Sequence, residues 1–411
     1  RVVLVPSFKF VESFSRVPIE AHRHGVPVLG AAVGNIPYIL ARSGVTLPFE
    51  VEAWVAELRR VFTDEAHLLS LQAKARENSE AWSFGRFRDG LRRVIRTHRS
   101  PTLVAVGTGI GNMLHTTPMI EWISRHIGAP VDVVISGDWR DSDLLFMESP
   151  FVNMIFPFDN RILAKPYDQV FVSHSFGDGH YDFKSNRVFY SRDWRRFEPA
   201  GEIHEGAFNI ALAAAALGVE TTASRGAYFV GDRTYVRRDR CRRIGIHAGS
   251  KGNHWAVKRW PHFGELAKRL VQNGFEVVSF GGASEVVEFS QDLTGLPLDR
   301  SLDEIMKCDY FISNDSGLMN VANALGVPQA ALFGPTNPHT RGPTNSDCII
   351  IQVDKDCAPC ETKKHLYSEK IGRGQCVCMR ELSVHCVFEA VLEHMDSVYG
   401  ETRSADLKVA T

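Results

Sequence analysis

The segment of residues 312–320, which reads ISNDSGLMN, contains the side chains with the clearest chemistry. The pattern predicts a strand that ends at Asn314 and a helix that begins with Asp315-Ser316-Gly317. The first N–H groups of a helix have no partner inside it and lie at the positive end of its dipole, so this junction suits an anionic group. Gly317 would let a phosphate approach the backbone. The alternative is that Asp315 or Ser316 is an ordinary N-cap, and the segment alone favours neither interpretation.

Two further polar loops follow predicted strands of the same sheet. Residues 247–251 (HAGSK) follow one strand, and residues 333–338 (FGPTNP) follow another. Lys258 and Arg259 lie just before a helix and could neutralise a diphosphate; the alternative is an exposed basic pair at a helix start, where the dipole disfavours it. Because the carboxyl ends of parallel strands share one edge of a sheet, the three loops together predict a ligand site.

The elements that position these loops alternate between strands and helices, which predicts an α/β protein with doubly wound sheets. We divide the chain into three blocks, residues 1–98, 101–236 and 241–396, followed by a tail at 397–411. The second and third blocks each predict a complete lobe, and two lobes in series enclose a cleft in which a ligand usually binds. In the third block, a helix is predicted over residues 283–293, after the turn Gly281-Gly282.

The first block predicts only two strands, at residues 2–5 and 27–30, with helices over 51–78 and 83–98. Two strands are too few for a stable sheet, so this block is expected to be half a domain. Because the chain begins at Arg1 rather than Met and has no signal-peptide pattern, we expect further residues upstream.

Composition excludes several classes of protein. The chain has 411 residues, with 47 Lys and Arg against 48 Asp and Glu and a pI near 7.0, which argues against a dedicated nucleic-acid binder. The longest apolar stretch, residues 208–219, is shorter than the ~20 residues that a membrane span needs. We interpret the basic stretch at residues 237–243 as a solvated linker between lobes.

Several segments resemble glycosyltransferase family 9, the ADP-heptose lipopolysaccharide heptosyltransferases of bacteria. They are residues 109–118, 247–261, 314–321 and 333–338, and the resemblance covers residues 101–395. It implies a GT-B fold of two Rossmann-like lobes and a role in lipopolysaccharide biosynthesis. It also implies an inverting displacement, in which an acceptor hydroxyl loses its proton to a base while the nucleoside diphosphate leaves. The odd number of clustered cysteines and the lack of an export signal separately predict a reduced, cytoplasmic location.

The resemblance also implies roles for residues of the third block, which would bind the donor. Ser250 and Lys258 would bind the diphosphate, and Asp315 would contact the sugar. Ser316 and Gly317 would offer backbone N–H groups to phosphate, as the charge that develops on the leaving group requires. Glu285 would be a ribose ligand, with a surface glutamate as the alternative.

Two residues depart from the family pattern. Asn112 stands where the family has an aspartate taken to be the general base, and an amide cannot accept a proton usefully near neutral pH. Another group is then the base, or Asn112 only positions the acceptor, or this lobe is catalytically weak. His115, one helical turn further on, could substitute as the base or be structural. Asn320 replaces a histidine that family members often carry, which leaves the donor sugar open.

The first block resembles a different family, glycosyltransferase family 4, through an E-x7-E pattern formed by Glu12 and Glu20. In that retaining family the first glutamate lies by the transferred sugar and the second contacts the ribose. The block would be a truncated carboxyl-terminal lobe, that is, a partial third α/β lobe. Without the surrounding match, the two glutamates would simply flank the start of an amphipathic helix.

Cysteines are concentrated near the end of the chain, in an insert at residues 357–386. Cys357, Cys360, Cys376 and Cys378 are spaced as two pairs, and C-x2-C is the usual first half of a tetrahedral metal site. Cys386 or His365 could replace one ligand. Some family 9 members, including autotransporter heptosyltransferases, carry a similar insert that can hold a metal. We therefore predict a structural Zn or Fe site, with free thiols or a disulfide as the alternative, and no cofactor for the chemistry.

The sequence thus predicts an inverting glycosyltransferase that moves a sugar, heptose among the candidates, from a nucleotide-diphospho-sugar to a saccharide or protein hydroxyl. Its partners would be the donor and the acceptor, with no nucleic acid, and a lipid-linked acceptor would bring it to a membrane surface peripherally. A donor-binding pseudoenzyme that acts as a scaffold is one alternative, which Asn112 supports. A GT-B sugar-nucleotide epimerase is another.

Overall fold

The computed structural model describes twelve segments of the chain, which leave out the predicted helix at 83–98 and Glu12. They are residues 1–6, 16–40, 43–81, 102–137, 142–173, 175–177, 179–194, 203–220, 227–344, 347–363, 367–373 and 375–400. The chain divides into two compact units, residues 1–98 and residues 99–411. Within the described segments, no helix combines the length and the apolar character needed to cross a membrane.

The first unit is built on a parallel sheet with three strands, one more than the sequence predicted. Its strands are β1 (Val3–Val5), β2 (Val28–Ala31) and β3 (Val45–Leu47), in the order β1-β2-β3. Its helices are α1 (Arg16–Arg23), α2 (Ile36–Leu40), α3 (Val51–Thr63) and α4 (Glu65–Ala81). The central strand β2 is buried along its whole length, as an all-parallel sheet requires.

The second unit contains two lobes, each with its own parallel sheet. The front lobe has β4 (Thr102–Val106), β5 (Val131–Ile135), β6 (Val152–Pro157), β7 (Gln169–Val172) and β8 (Val188–Tyr190), in the order β6-β5-β4-β7-β8. Its helices are α5 (Ile110–Ile127), α6 (Asn160–Ala164), α7 (Ser191–Trp194) and α8 (Glu205–Leu217). The runs TLVAV and VDVVI make β4 and β5 wholly buried central strands.

The rear lobe has a six-stranded parallel sheet in the order β11-β10-β9-β12-β13-β14. Its strands are β9 (Arg243–His247), β10 (Glu276–Ser279), β11 (Gln291–Asp292), β12 (Tyr310–Asn314), β13 (Gln329–Phe333) and β14 (Cys348–Gln352). Its helices are α9 (Phe263–Gln272), α10 (Leu298–Ile305), α11 (Gly317–Leu325), α12 (Pro338–Arg341), α13 (Cys378–Glu381) and α14 (Val384–Tyr399). The sequence analysis missed β14 and α14, and α14 runs past the boundary set at 396.

The helix predicted over residues 283–293 is wrong. The chain makes a turn there, in which Glu285 N donates to Gly282 O over 2.8 Å, and Phe289 has a positive φ of 64°. The short strand β11 then pairs with β10 through Val278 and Gln291. A left-handed residue and a carboxylate bonded back to its own turn both interrupt a helix.

The basic stretch at 237–243 is exposed through residue 240, as a linker should be, but it is also fixed to the rear lobe. Arg238 Nη1 lies 2.7 Å from Asp309 Oδ1, and Asp309 Oδ2 accepts the N–H groups of Arg242 and Arg243 over 2.9 and 2.8 Å. The carboxylate of Asp309 is buried, so these contacts anchor the chain where β9 begins.

One apolar core joins the two lobes of the second unit. Met113 and Leu114 of α5 belong to the same buried cluster as Leu318 and Val321 of α11. Burying one such side chain contributes about 1.5–3 kcal/mol, so the packing of α5 on α11 fixes the position of the front lobe against the rear lobe. The N-terminal ends of the two helices lie close together, because a Cβ atom on Gly317 would lie 3.1 Å from Cβ of Ile110.

Candidate functional site

Asn314, the last residue of β12, holds two of the three predicted loops together. Its Oδ1 accepts the backbone N–H of Trp260 over 3.0 Å, and its Nδ2 donates to the carbonyl oxygens of Ala248 and Gly249 over 2.8 and 3.3 Å. The side chain is completely buried, so each of these bonds replaces one that water would otherwise make. The loops after β9 and β12 therefore share one rim of the rear lobe.

Lys258 and Asp315 form a nearly buried ion pair at this rim. Lys258 Nζ lies 3.0 Å from Asp315 Oδ2, and the two side chains are 11% and 7% exposed. Burial alone would raise the pKa of Asp315, but the positive charges of Lys258 and Arg341 outweigh it and hold that pKa below its ordinary value. Asp315 is therefore a carboxylate at neutral pH, and it holds the ammonium of Lys258 beside the start of α11.

Ser316 is the N-cap of α11, as the alternative interpretation had it. Its Oγ accepts the backbone N–H of Met319 over 3.3 Å and also lies 2.9 Å from Nδ1 of His247. The capping bond satisfies one of the N–H groups that the helix leaves without a partner. The hydroxyl of Ser316 is thus engaged within the protein, while the dipole of α11 still faces the cleft.

Glu285 lies within the rim instead of projecting from the surface. Its Oε2 accepts the N–H of Gly282 over 2.8 Å and lies 3.4 Å from His247 Nε2, and its Oε1 lies 3.5 Å from Arg259 Nη2. The hydrogen bond from His247 is the main cause that holds the pKa of Glu285 below its ordinary value. A Cβ atom added to Gly249 would lie 2.2 Å from this carboxylate, so only glycine leaves room for it.

Ser250, a predicted diphosphate ligand, is tied into its own loop. Its Oγ donates to Trp255 O over 3.2 Å, and Arg259 donates to Ser250 O over 2.9 Å. Together with the Ser316–His247–Glu285 contacts, these bonds form a continuous polar network behind the rim. The network holds Ser250, Glu285 and Ser316 at one edge of the sheet, next to the Lys258–Asp315 pair.

The predicted front-lobe residues lie at and behind the N-terminus of α5. Asn112 is half-buried in the first turn, and its Nδ2 donates to Thr108 O over 3.1 Å. His115 is 3% exposed; its Nδ1 lies 2.9 Å from the hydroxyl of Tyr228, and its ring meets that of His204 edge-on at 5.5 Å. These contacts match the structural alternative for His115, which faces the interior of the second unit.

Comparison with known proteins identifies part of the chain. The model of glycosyltransferase family 9 (heptosyltransferase) matches residues 182–371. Over that range, a little under half of the chain, the sequence is similar to this family. Lipopolysaccharide heptosyltransferase 2 of Escherichia coli K12 is 35% identical over 114 residues, which are 24% of this chain and 33% of that protein. The chain thus spans about a third of the length of the curated relatives that it matches.

Solved structures share the fold of the second unit. A glycosyltransferase family 9 protein from Veillonella parvula has a TM-score of 0.56 at 19% identity, over 72% of this chain and 97% of that one. The iron-containing dodecameric glycosyltransferase TibC of enterotoxigenic Escherichia coli has a TM-score of 0.52 at 16% identity, over 73% and 77%. These likenesses confirm the predicted GT-B fold of two doubly wound lobes.

The family 9 match includes Cys357 and Cys360, whereas Cys376 and Cys378 follow it. The Sγ atoms of Cys376 and Cys378 are 3.2 Å apart, and Cys357 and Cys376 both act electrostatically on Cys360. The bond from Cys378 lowers the pKa of Cys376 to about 6, and burial raises that of Cys360 to about 12. In the described part of the chain, no three His, Cys, Asp or Glu side chains are already arranged around a metal position.

The remaining predicted residues belong to the first block and to the insert at residues 357–386. Glu20 is on α1 of the first unit, is largely exposed, and pairs with Arg16 over 3.1 Å; its predicted companion Glu12 is outside the described residues, as is His365. Cys386, the other alternative ligand, is exposed on α14. The family 4 interpretation of the first block stays a prediction.

The sequence analysis did not identify three residues of the site, which are Trp255, Arg341 and Glu361. Arg341 lies over the ring of Trp255 at 5.9 Å, and Lys258 lies over the same ring at 5.1 Å. Glu361 pairs with Arg341 over 3.0 Å. Arg341 comes three positions after the FGPTNP loop, and this closeness in sequence was the one indication that it belongs to the site. A single arginine is not part of a recognisable motif, so the sequence alone did not identify it.

Proposed function

We propose that the second unit transfers a sugar from a nucleoside-diphosphate donor to a hydroxyl of a saccharide or protein, with inversion at the anomeric carbon. The observation that carries this proposal is the Lys258–Asp315 pair beside the start of α11. A cation and a helix N-terminus at one point are suited to the negative charge that grows on a departing diphosphate. Heptose is the first sugar to test, because the curated relatives are named as heptosyltransferases.

The reaction can be written with these residues. The acceptor oxygen attacks the anomeric carbon from the face opposite the diphosphate, the bond from that carbon to the phosphate oxygen breaks, and the electron pair leaves with the nucleoside diphosphate. Lys258 stabilises the leaving group, and Asp315 both holds Lys258 and contacts the sugar. Ser250 and Glu285 would bind the diphosphate and the ribose. The proton of the acceptor passes to a base other than Asn112, since an amide cannot take it.

A second candidate function is donor binding without turnover. Asn112 favours it, because its Nδ2 is committed to Thr108 O and its position carries no carboxylate. His115 supports it too, because that ring is buried against Tyr228. Under this alternative the protein would bind the donor and act as a scaffold or regulator.

A panel of nucleotide sugars distinguishes these functions. ADP-, GDP- and UDP-sugars are first compared by thermal shift, since a ligand that binds only the native state raises the melting temperature. The sugar that binds is then assayed for hydrolysis and for transfer to saccharide and protein acceptors. Binding with turnover, both lost in Lys258→Ala, supports the transferase. Binding without turnover on any acceptor supports the scaffold, and no binding contradicts both.

We propose that the insert at residues 357–386, called the cysteine segment below, holds one structural Zn or Fe ion. Its ligands would be Cys357, Cys360, Cys376 and Cys378. The thiols of Cys376 and Cys378 already lie 3.2 Å apart, Cys357 and Cys376 act electrostatically on Cys360, and thiolate sets of this kind suit both metals. TibC, which shares the fold, is described as iron-containing. The ion would hold the segment together and supply no step of the transfer. The eight free cysteines fit a reducing compartment, which supports the cytoplasm as the location.

A lipid-linked saccharide is the acceptor that would bring the protein to a membrane surface. A protein hydroxyl is the other acceptor class, and the transfer assay with both kinds separates them.

A further inference from the structure

The loop after β13 is held by the cysteine segment as well as by the rear sheet. Glu361 N donates to Pro335 O over 3.0 Å, and Glu361 Oε1 accepts the N–H of Asn337 over 2.7 Å. On the other side of the loop, a Cβ atom on Gly334 would lie 2.8 Å from the Sγ of Cys378, so the backbone here rests directly on that cysteine. The third loop of the site is thus shaped by residues far along the chain.

The same glutamate fixes Arg341, the last residue of α12. Glu361 Oε2 lies 3.0 Å from Arg341 Nη1, with the carboxylate 9% and the guanidinium 36% exposed. One oxygen of Glu361 therefore holds the loop and the other holds the arginine. A carboxylate bonded on both oxygens and nearly buried leaves the guanidinium little freedom to turn away.

Arg341 lies beside the residues proposed to bind the diphosphate. Its guanidinium and the ammonium of Lys258 both lie over the ring of Trp255, at 5.9 and 5.1 Å. Its charge also acts on Asp315, together with that of Lys258. Two cations thus lie by the same indole ring and act on the same carboxylate, one from the loop after β9 and one from the loop after β13.

The charges at this rim balance in pairs. Lys258 pairs with Asp315, Arg259 with Glu285, and Arg341 with Glu361. A diphosphate adds negative charge, so it needs a cation that can bind it without leaving a carboxylate unpaired. A guanidinium has five N–H donors, and Arg341 can keep Glu361 on Nη1 while another nitrogen donates to a phosphate oxygen.

We propose that Arg341 is a second cation for the donor diphosphate and that Glu361 positions it, which makes the cysteine segment a structural part of the donor site. This inference rests on the proposed function, because it specifies how the same site holds its donor. Arg341 is then a binding residue, and Glu361 acts only through it.

The test measures binding of ADP and of inorganic pyrophosphate by calorimetry in the full chain. Arg341→Gln should weaken both ligands about tenfold or more, as the loss of a charged hydrogen bond does, and Arg341→Lys should recover part of the loss. Glu361→Gln should weaken both by a smaller factor. In the Arg341→Gln background, Glu361→Gln should cause no further loss, because the residue it positions is gone.

A matched control comes from the same segment. Glu381 pairs with Lys355 and is half-exposed. Glu381→Gln breaks this ion pair of the cysteine segment, which has no proposed part in donor binding, and should leave the affinity for both ligands unchanged. Melting temperatures of the ligand-free variants show that each is folded.

The outcomes separate this inference from the proposed function. If the wild type binds ADP or pyrophosphate but Arg341→Gln binds equally well, the inference is overturned and the proposed function stands. If Glu361→Gln weakens binding by the same factor with and without Arg341, Glu361 does not act through the arginine and the positioning role is overturned. If the wild type binds neither ligand nor any nucleotide sugar, both proposals fail together.

Discussion

Gly111 of the front lobe faces the side chain of Asn320 in the rear lobe. A Cβ atom on Gly111 would lie 3.1 Å from Asn320 Nδ2, and one on Gly317 would lie 3.1 Å from Ile110 Cβ. Because the glycine at the start of each helix has no side chain, the facing helix can pack close to it. Gly317 was predicted to admit a phosphate, and the structure adds this second reason for it.

Gly111→Ala should perturb this junction without unfolding the protein. The added methyl group forces the Asn320 amide to move, and that amide is buried and bonded to Ser316 O at the start of α11. We expect weaker binding of the donor nucleotide and a loss of about 1–3 kcal/mol in the free energy of unfolding, as overpacking usually causes. Calorimetry and urea unfolding measure the two effects.

The rescue variant is Gly111→Ala with Asn320→Ala, which removes the atom that the methyl group meets. The double variant should be more stable than the sum of the two single changes predicts. If the changes in the free energy of unfolding are simply additive, the added methyl group and the Asn320 side chain do not clash.

Lys258 and Asp315 should be strongly coupled in stability. Lys258→Met leaves a buried carboxylate without its nearest cation, and Asp315→Asn leaves a buried ammonium; each should cost about 3–5 kcal/mol. The double variant should cost much less than the sum. Urea unfolding of the four proteins gives the coupling, and Lys307→Met, at an exposed pair with Glu304, should change stability by under about 1 kcal/mol.

The same pair predicts a dependence of stability on pH. The pKa of Asp315 is lowered in the folded protein, so its ionised form contributes fully to the free energy of unfolding above the pKa of the unfolded chain, about 3.9. This contribution is lost as the pH falls below that value and through the pKa of the folded state. The stability difference between wild type and Asp315→Asn should therefore be constant from pH 7 to about 5 and shrink in stronger acid. A difference that stays unchanged down to pH 2 would count against the ionised, paired carboxylate.

Glu285 should distinguish the nucleoside from the diphosphate. If it contacts the ribose, Glu285→Ala weakens ADP binding about tenfold, as losing a hydrogen bond to a charged group does, while pyrophosphate binds as before. Glu288→Gln, an exposed neighbour, is the control and should change neither ligand. Equal loss of ADP and pyrophosphate would show instead that the residue supports the rim as a whole.

The predicted metal site can be tested by removing single thiols. After expression with Zn or Fe, the wild type should contain about one ion per chain by elemental analysis, and Cys360→Ser and Cys378→Ser should lose it and melt at a lower temperature. Cys348→Ser is the matched control, because that thiol lies on β14 outside the cluster. Cys386→Ser tests the alternative ligand. A wild type that never retains metal and melts unchanged with a chelator would contradict the site.

The edge of the rear sheet could be predicted because it follows from local patterns. Strands β9, β12 and β13 are short apolar runs, and the polar residues after each must meet where parallel strands end. That argument placed Ser250, Lys258 and Asp315 together without any knowledge of contacts.

The rest of the site depends on pairings that no local pattern reveals. Arg341 and Glu361 are twenty positions apart and meet only because the cysteine segment returns to the loop after β13. The false helix at 283–293 has a related cause: Glu285 looks like a helix former, but its carboxylate is bonded to Gly282 N and to His247. A contact with the distant His247 and a bond back to the preceding turn together overrode local helix propensity at Glu285.

Asn112→Asp tests directly whether the missing carboxylate limits the chemistry. The residue lies in the first turn of α5, where the helix dipole favours a negative charge, and this offsets the loss of the hydrogen bond from Asn112 Nδ2 to Thr108 O. With a donor and acceptor that react, a base at this position should raise the rate of transfer at least about tenfold, since general-base catalysis usually contributes 10²–10⁴-fold. The KM for the donor should stay the same, because Asn112 lies in the front lobe.

Asn112→Ser is the control for Asn112→Asp, because it removes the amide without adding a base and should show no gain. If Asn112→Asp gains nothing over Asn112→Ser with any acceptor that the wild type accepts, the general base lies elsewhere. If neither variant nor wild type turns over while all three bind the donor, the scaffold function replaces the transferase.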